Sequence, residues 1–162
     1  KAAYFNRFHN IWHHGDYAEK INKKGYIIYG RSDATLNPGG VRIGTAEIYR
    51  QVEIFNQINE ALVIDQNWKN DTRIVVFVTL NRAKVLTNSL IKKIKSRIKK
   101  NCSPKHIPSK IIAVKELPKT KSGKIVELAV RKIIHNQKIE NIESIANPKS
   151  LNYFKNIKEL QF

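Results

Sequence analysis

The chain has 162 residues, 41 % of them hydrophobic, and a formal net charge of +17; that is enough for one domain with a real core and too short for two large independent ones. Apolar runs such as residues 74–78 (Ile-Val-Val-Phe-Val) exclude general disorder, and none approaches the roughly 20 residues that span a bilayer. The single cysteine, Cys102, excludes an intrachain disulfide and fits a reducing, cytoplasmic setting.

The chain contains no Met, and its start lacks the layout of a signal peptide, so it reads as a soluble segment of a longer polypeptide. A surplus of +17 would attract phosphate-bearing partners. Most of it is Lys scattered among Asn and Ile, however, a composition that an AT-rich coding sequence also produces.

Residues 1–30 are aromatic and His-rich and end in a strand over 25–30 closed by glycines. Residues 31–44 set Asn37, Pro38, Gly39 and Gly40 between two short extended pieces, which predicts a hairpin or tight loop. Thr45 is placed to cap the helix that follows, in which Ile48, Val52 and Phe55 recur at helical spacing. Two buried strands, 61–65 and 73–80, are separated by a polar loop holding Trp68, Asn70 and Asp71.

From Thr87 a second helix puts Leu90, Ile91, Ile94 and Ile98 on one face and Lys92, Lys93, Lys95, Arg97, Lys99 and Lys100 elsewhere. Pro104 and Pro108 bracket a loop, and 110–114 reads as a third strand. The polar loop 118–123 then leads into a helix with Val126, Val130, Ile133 and Ile134 inward. The order β, α, β, β, α, β, α predicts a small α+β domain. Beyond Gln137, the apolar cluster Leu151, Tyr153, Phe154 and Leu160 predicts a tail that wraps back onto it.

Three stretches carry chemistry. Pro118-Lys119-Thr120-Lys121-Ser122-Gly123-Lys124 is a polar loop that delivers a lysine at a predicted helix start, where the ammonium, the helix N-terminus and unpaired N–H groups suit a carboxylate or phosphate. It is not the usual phosphate loop, because the earlier glycine is missing; composition alone leaves a solvated basic loop equally open. In residues 30–48, glycines permit close backbone approach to a ligand, and Arg31 and Arg42 flank them. In Trp12-His13-His14-Gly15-Asp16, the carboxylate could accept both hydroxyls of a ribose, or simply serve a turn.

The charge and the cationic helix suggest a basic nucleic-acid-binding domain as an alternative. Tyr26, Tyr29, Trp68 and Phe77 do not interleave with Arg and Lys as a stacking platform would, and neither zinc spacing nor a helix-turn-helix pattern occurs. His9, His13 and His14 lack helical spacing and a set of Cys or carboxylate co-ligands, so they read as loop or packing histidines and no metal site is expected.

Together, and in this order, the three stretches resemble the C-terminal end of the adenylate-forming acyl-CoA synthetases. The family signatures are Trp-x-x-Gly-Asp, then Gly-Arg-x-Asp with a later Gly-x-Arg-[Ile/Leu/Val], then Pro-x-Thr-x-Ser-Gly-Lys, and all are present. The wording of residues 30–49, of 122–127 and of Asn147-Pro148-x-Ser150-Leu151 is similar to the subgroup acting on acetoacetate.

The resemblance implies an enzyme that joins a short-chain carboxylic acid to coenzyme A by way of an acyl-adenylate, using Mg-ATP. It implies that residues 1–30 end a large N-terminal domain, 31–33 form a hinge at Asp33, 34–146 form a mobile α+β lid, and 147–162 are a C-terminal extension. By the same resemblance, Asp16 and Arg31 bind the ribose hydroxyls of the nucleotide and Arg42 lies near phosphate. Gly39 and Gly40 line the pantetheine tunnel, and Lys99 contacts coenzyme A phosphate.

Lys124 is then the lysine that enters the active site only in the adenylate-forming pose. Most of the active site would lie in the missing N-terminal domain, so the segment alone is expected to be inactive, with neither nucleic acid nor membrane as a partner. A stand-alone module that binds coenzyme A or regulates a partner remains the other alternative. Two positions depart from related acetyl-CoA synthetases: Glu127 stands where they carry a basic residue, and Ala34 where they often carry an acid.

Overall fold

A computed structural model describes residue 5 and residues 8–22, 25–32 and 34–162. Its centre is a three-stranded sheet in the order β3-β4-β5. β3 (Ile58–Trp68) and β4 (Asp71–Leu80) pair antiparallel with Trp68 opposite Asp71. The two residues between them, Lys69 and Asn70, have φ of 48° and 63°. Two consecutive left-handed residues match the right-handed twist of the flanking strands, so the expected polar loop is a two-residue turn and Trp68 belongs to the strand. β5 (Lys110–Ala113) joins β4 in parallel.

Both faces of this sheet are covered, which is why the strands read as unbroken apolar runs rather than as alternating patterns. Ala61, Val63, Ile74, Val76 and Val78 face one side, against α1 (Thr45–Val52) and α2 (Asn88–Asn101), whose Ile48, Val52, Ile94 and Ile98 complete that core. Leu62, Ile64, Val75 and Phe77 face the other, against Leu117, Val130 of α3 (Glu127–Ile134), and Phe154 and Leu160 of the tail. Phe77 and Phe154 meet edge to face at 5.0 Å between ring centres. The tail therefore does wrap back, through 3₁₀ turns at Pro148–Phe154 and Lys158–Leu160.

Arg73 anchors its end. The guanidinium donates to Gln66 Oε1 at 2.9 Å and to the Leu160 carbonyl at 2.8 Å, and it stacks on Trp68 at 3.6 Å. Burial lowers the Arg73 pKa from its ordinary value, so these contacts hold a charge that has been partly removed from water.

Thr87 caps α2 by accepting the Leu90 N–H at 3.2 Å. Thr45 does not cap α1: Gly44 holds the cap position and Thr45 is the first helical residue. Glycine is required at 44 because an added Cβ would lie 2.1 Å from the Tyr29 carbonyl oxygen. Tyr29 lies in β2 (Gly25–Arg31), which pairs antiparallel with β1 (Asp16–Ile21) in a separate two-stranded ribbon. β1 was not anticipated, because its polar face hides the strand period.

Around the ribbon, Ile11, Trp12, Ile21, Tyr26 and Ile28 are all exposed, Tyr26 to 68 %. Among the described residues no helix is long and apolar enough to cross a membrane.

Candidate active-site surfaces

The Lys124 loop is a hairpin, not a helix N-terminus. Lys119 and Ile125 bridge antiparallel. The Thr120 N–H donates to the Lys124 carbonyl at 2.8 Å, the Gly123 N–H to the Thr120 carbonyl at 2.9 Å and the Val126 N–H to the Pro118 carbonyl at 3.0 Å. The Lys124 N–H donates to Thr120 Oγ1 at 3.1 Å, and that hydroxyl also meets Ser122 Oγ at 2.9 Å.

α3 begins only at Glu127. Of the loop N–H groups expected to suit an anion, those of Thr120, Gly123 and Lys124 are thus spent on the hairpin itself. What the loop offers a ligand is the lysine side chain, exposed at the end of a hydrogen-bonded stem.

Asp16 and Arg31 face each other across the first rung of the ribbon. Their side chains approach to 4.0 Å, and Asp16 also pairs with His14. Arg31 donates to the His14 carbonyl at 3.3 Å. Gly15, at φ 90°, carries the Arg31 guanidinium so close that an added Cβ would meet Nη2 at 3.2 Å. A residue without Cβ at 15 therefore lets the arginine lie over the turn.

Ser32 closes the turn by donating its N–H to the Gly15 carbonyl at 2.8 Å and its hydroxyl at 3.0 Å. The hinge position Asp33 lies outside the described residues. Arg42 meets the same ribbon, donating to the Tyr17 hydroxyl at 3.2 Å. Tyr17, Tyr29, Thr35, Arg42, Gly44 and Glu47 line an open cavity of about 270 Å³ there.

Gly39 and Gly40 form the expected turn between bridged Leu36 and Ile43. The turn is held by a residue the sequence did not mark: the Gly39 N–H donates to both oxygens of Asp71, at 3.0 and 3.1 Å. The N–H groups of Thr72 and Gly39 hold the Asp71 carboxyl below its ordinary pKa. Lys105 lies over Gly39, its Nζ 2.8 Å from where a Cβ would sit. Lys99 is exposed on α2.

The structure therefore joins Asp16 to Arg31, and Gly39 to Asp71 and Lys105, while Lys124 and Lys99 stand at the surface. Glu127, the departure from the related pattern, accepts a hydrogen bond from Tyr49, whose hydroxyl in turn accepts the Val63 N–H at 3.0 Å. It ties α3 to α1 and β3.

Comparison with known proteins places the chain among its relatives. The family profile "AMP-binding enzyme C-terminal domain" matches residues 55–124, ending on the lysine. Over 99 % of the chain it is 56 % identical to the acetoacetyl-coenzyme A synthetase of Rhizobium meliloti (strain 1021). Residues 55–124 thus match the C-terminal domain of AMP-binding enzymes, and the chain as a whole is similar to acetoacetyl-CoA synthetases.

The acetoacetyl-CoA synthetase of Gallus gallus is 40 % identical over 99 % of the chain. The solved acetoacetyl-CoA synthetase from Streptomyces lividans superposes over 98 % of the chain with a TM-score of 0.84 at 32 % identity. The chain spans about a quarter of the length of these relatives, 25 % of the first and 24 % of the other two. Within the family the α+β architecture is that of the C-terminal domain, and nothing supports the nucleic-acid-binding alternative.

Proposed function

We propose that these residues work as the mobile C-terminal lid of a cytoplasmic AMP-forming acetoacetate–CoA ligase. Residues 34–146 are the lid, 31–33 the hinge, 1–30 the end of the N-terminal domain and 147–162 an extension. The exposure of Ile11, Trp12, Tyr26 and Ile28 supports the boundary, since large apolar side chains left in solvent suit burial against another domain. The observation that carries the reading is Lys124: an exposed ammonium on a stem whose backbone groups are paired, in a family-matching sequence.

In the first half-reaction a carboxylate oxygen of acetoacetate attacks the α-phosphorus of ATP, and pyrophosphate leaves with its Mg²⁺. Lys124 lies between acid and phosphate oxygens and stabilises the charge that builds up in the transition state. Asp16 accepts the ribose hydroxyls, with Arg31 beside it. Arg42 lies near phosphate only in the other pose, that of thioester formation.

In the second half-reaction the coenzyme A thiol attacks the acyl carbonyl and AMP leaves. The lid turns so that Gly39 and Gly40 replace Lys124 and the pantetheine passes against them. Lys99 meets coenzyme A phosphate at the rim.

The test uses the complete enzyme containing this segment. Lys124→Ala should abolish pyrophosphate exchange yet leave thioester formation from supplied acyl-adenylate within about twofold, because the interaction is made only in the first transition state. Equal loss of both half-reactions overturns the assignment. Comparing acetoacetate, acetate and butyrate as substrates tests the choice of acid.

A further inference from the structure

Residues 145–147 add a third strand-like edge to the Lys124 hairpin. Thr120 bridges Ile145 antiparallel, on the same strand whose Lys119 bridges Ile125. The Ala146 N–H donates to the Lys119 carbonyl at 2.8 Å. Asn147 then takes over where the backbone pairing stops. Its Oδ1 accepts the Lys119 N–H at 2.8 Å, and its Nδ2 donates to the Leu117 carbonyl at 2.9 Å and to Glu116 Oε1 at 2.7 Å.

One side-chain amide thus supplies the acceptor and donors that the entry strand of the hairpin would otherwise lack. A side-chain amide carries one acceptor oxygen and two N–H donors, which matches all three bonds. An aspartate would keep the Lys119 bond but lose both donations and set a carboxylate against Glu116.

The Asn147 main chain is itself fixed, since its carbonyl accepts the Ser150 N–H at 3.0 Å and the Ser150 hydroxyl at 2.6 Å. Ser150 is fully buried, in the 3₁₀ turn that carries Leu151 and Phe154 into the core. A continuous set of bonds runs from the packed tail through Asn147 to Lys119, and across the hairpin to Lys124.

We propose that Asn147 is a positioning residue for Lys124: it transmits the rigidity of the packed tail to the hairpin stem, so that the ammonium is presented in one place when the lid closes for adenylation. This rests on the reading of Lys124 given above. A short mobile stem would spread the ammonium over several ångströms, and misplacement of about 1 Å can cost on the order of 100-fold in rate.

The test has two arms. In the 162-residue chain, Asn147→Ala should speed hydrogen exchange at the Thr120, Gly123 and Lys124 amides by about tenfold or more, while Val63 and Val76 in the central sheet exchange as before and report an intact fold. In the complete enzyme, the same variant should lower pyrophosphate exchange about tenfold or more and leave thioester formation from acyl-adenylate within about twofold. Asn147→Asp, which keeps one of the three bonds, should fall between wild type and Asn147→Ala in both arms and guards against outright unfolding.

Wild-type exchange rates at the hairpin amides overturn the brace. Faster exchange with undiminished adenylation, or with both half-reactions reduced alike, overturns the positioning role. A Lys124→Ala enzyme that still adenylates instead overturns the role of Lys124 itself, and it does so without touching the exchange result.

Discussion

Tyr49 donates its hydroxyl hydrogen to the carboxylate of Glu127 across 78 residues of sequence, while its oxygen accepts the Val63 N–H. One phenol thereby ties α1 to β3 and to the start of α3, three residues beyond Lys124. Burial, and then the neighbouring carboxylate, hold the Tyr49 pKa well above its ordinary value, so the hydroxyl stays a donor throughout the neutral range. Tyr49→Phe removes the hydrogen bond to Glu127, leaves the Val63 N–H without the acceptor it uses here, and should cost about 1–3 kcal/mol. Chemical denaturation should show the loss at an unchanged slope; an unchanged midpoint refutes the role.

Gly44→Ala sets a methyl group 2.1 Å from the Tyr29 carbonyl oxygen, a backbone atom that cannot swing aside. The β2–α1 junction must open, at about 1–3 kcal/mol for an overpacked site. A lower thermal midpoint is expected, with loss of protection at Tyr29 and Ala46. Retained stability would mean that the ribbon is free to slide on α1.

Arg73→Met keeps an apolar stem but removes the donations to Gln66 and Leu160. The cost should be about 2 kcal/mol, since the guanidinium is buried and charged. Residues 157–162 should then become open to limited proteolysis while the central sheet stays resistant. A protected tail in the variant would show that Leu160 and Phe154 hold it without the arginine.

Asp71 supplies a pH response at the Gly39–Gly40 turn. Its folded carboxyl lies below the ordinary value through the Thr72 and Gly39 N–H groups. Its stabilising contribution is therefore complete above the unfolded carboxylate range, about 3.9, and is lost as pH falls through the folded value. The Gly39 amide shift should titrate with a midpoint below that range, and Asp71→Ala should abolish the titration. A midpoint at or above the ordinary value would contradict the hydrogen bonds.

The elements most legible in the sequence were those whose residues face a uniform environment. The β3–β4 run and the Ile94–Ile98 face of α2 are buried along their length, so composition and period announce them. β1 was missed because it is exposed on nearly every residue and has no apolar period to show. Thr45 has the right chemistry for a cap, but the close approach of Tyr29 places glycine at the cap and puts Thr45 inside the helix.

By itself the sequence pointed to the family, through three motifs whose joint order is specific, and it singled out Lys124, Asp16, Arg31 and the paired glycines. Those are local patterns of residue type, legible without folding. Only the tertiary structure decided that Lys124 stands on a hairpin rather than at a helix start, that Asp71 binds Gly39, that Glu127 is held by Tyr49, and that Asn147 braces Lys119. Each of these depends on which backbone N–H and carbonyl groups remain unpaired once distant segments meet, and a linear pattern does not carry that information.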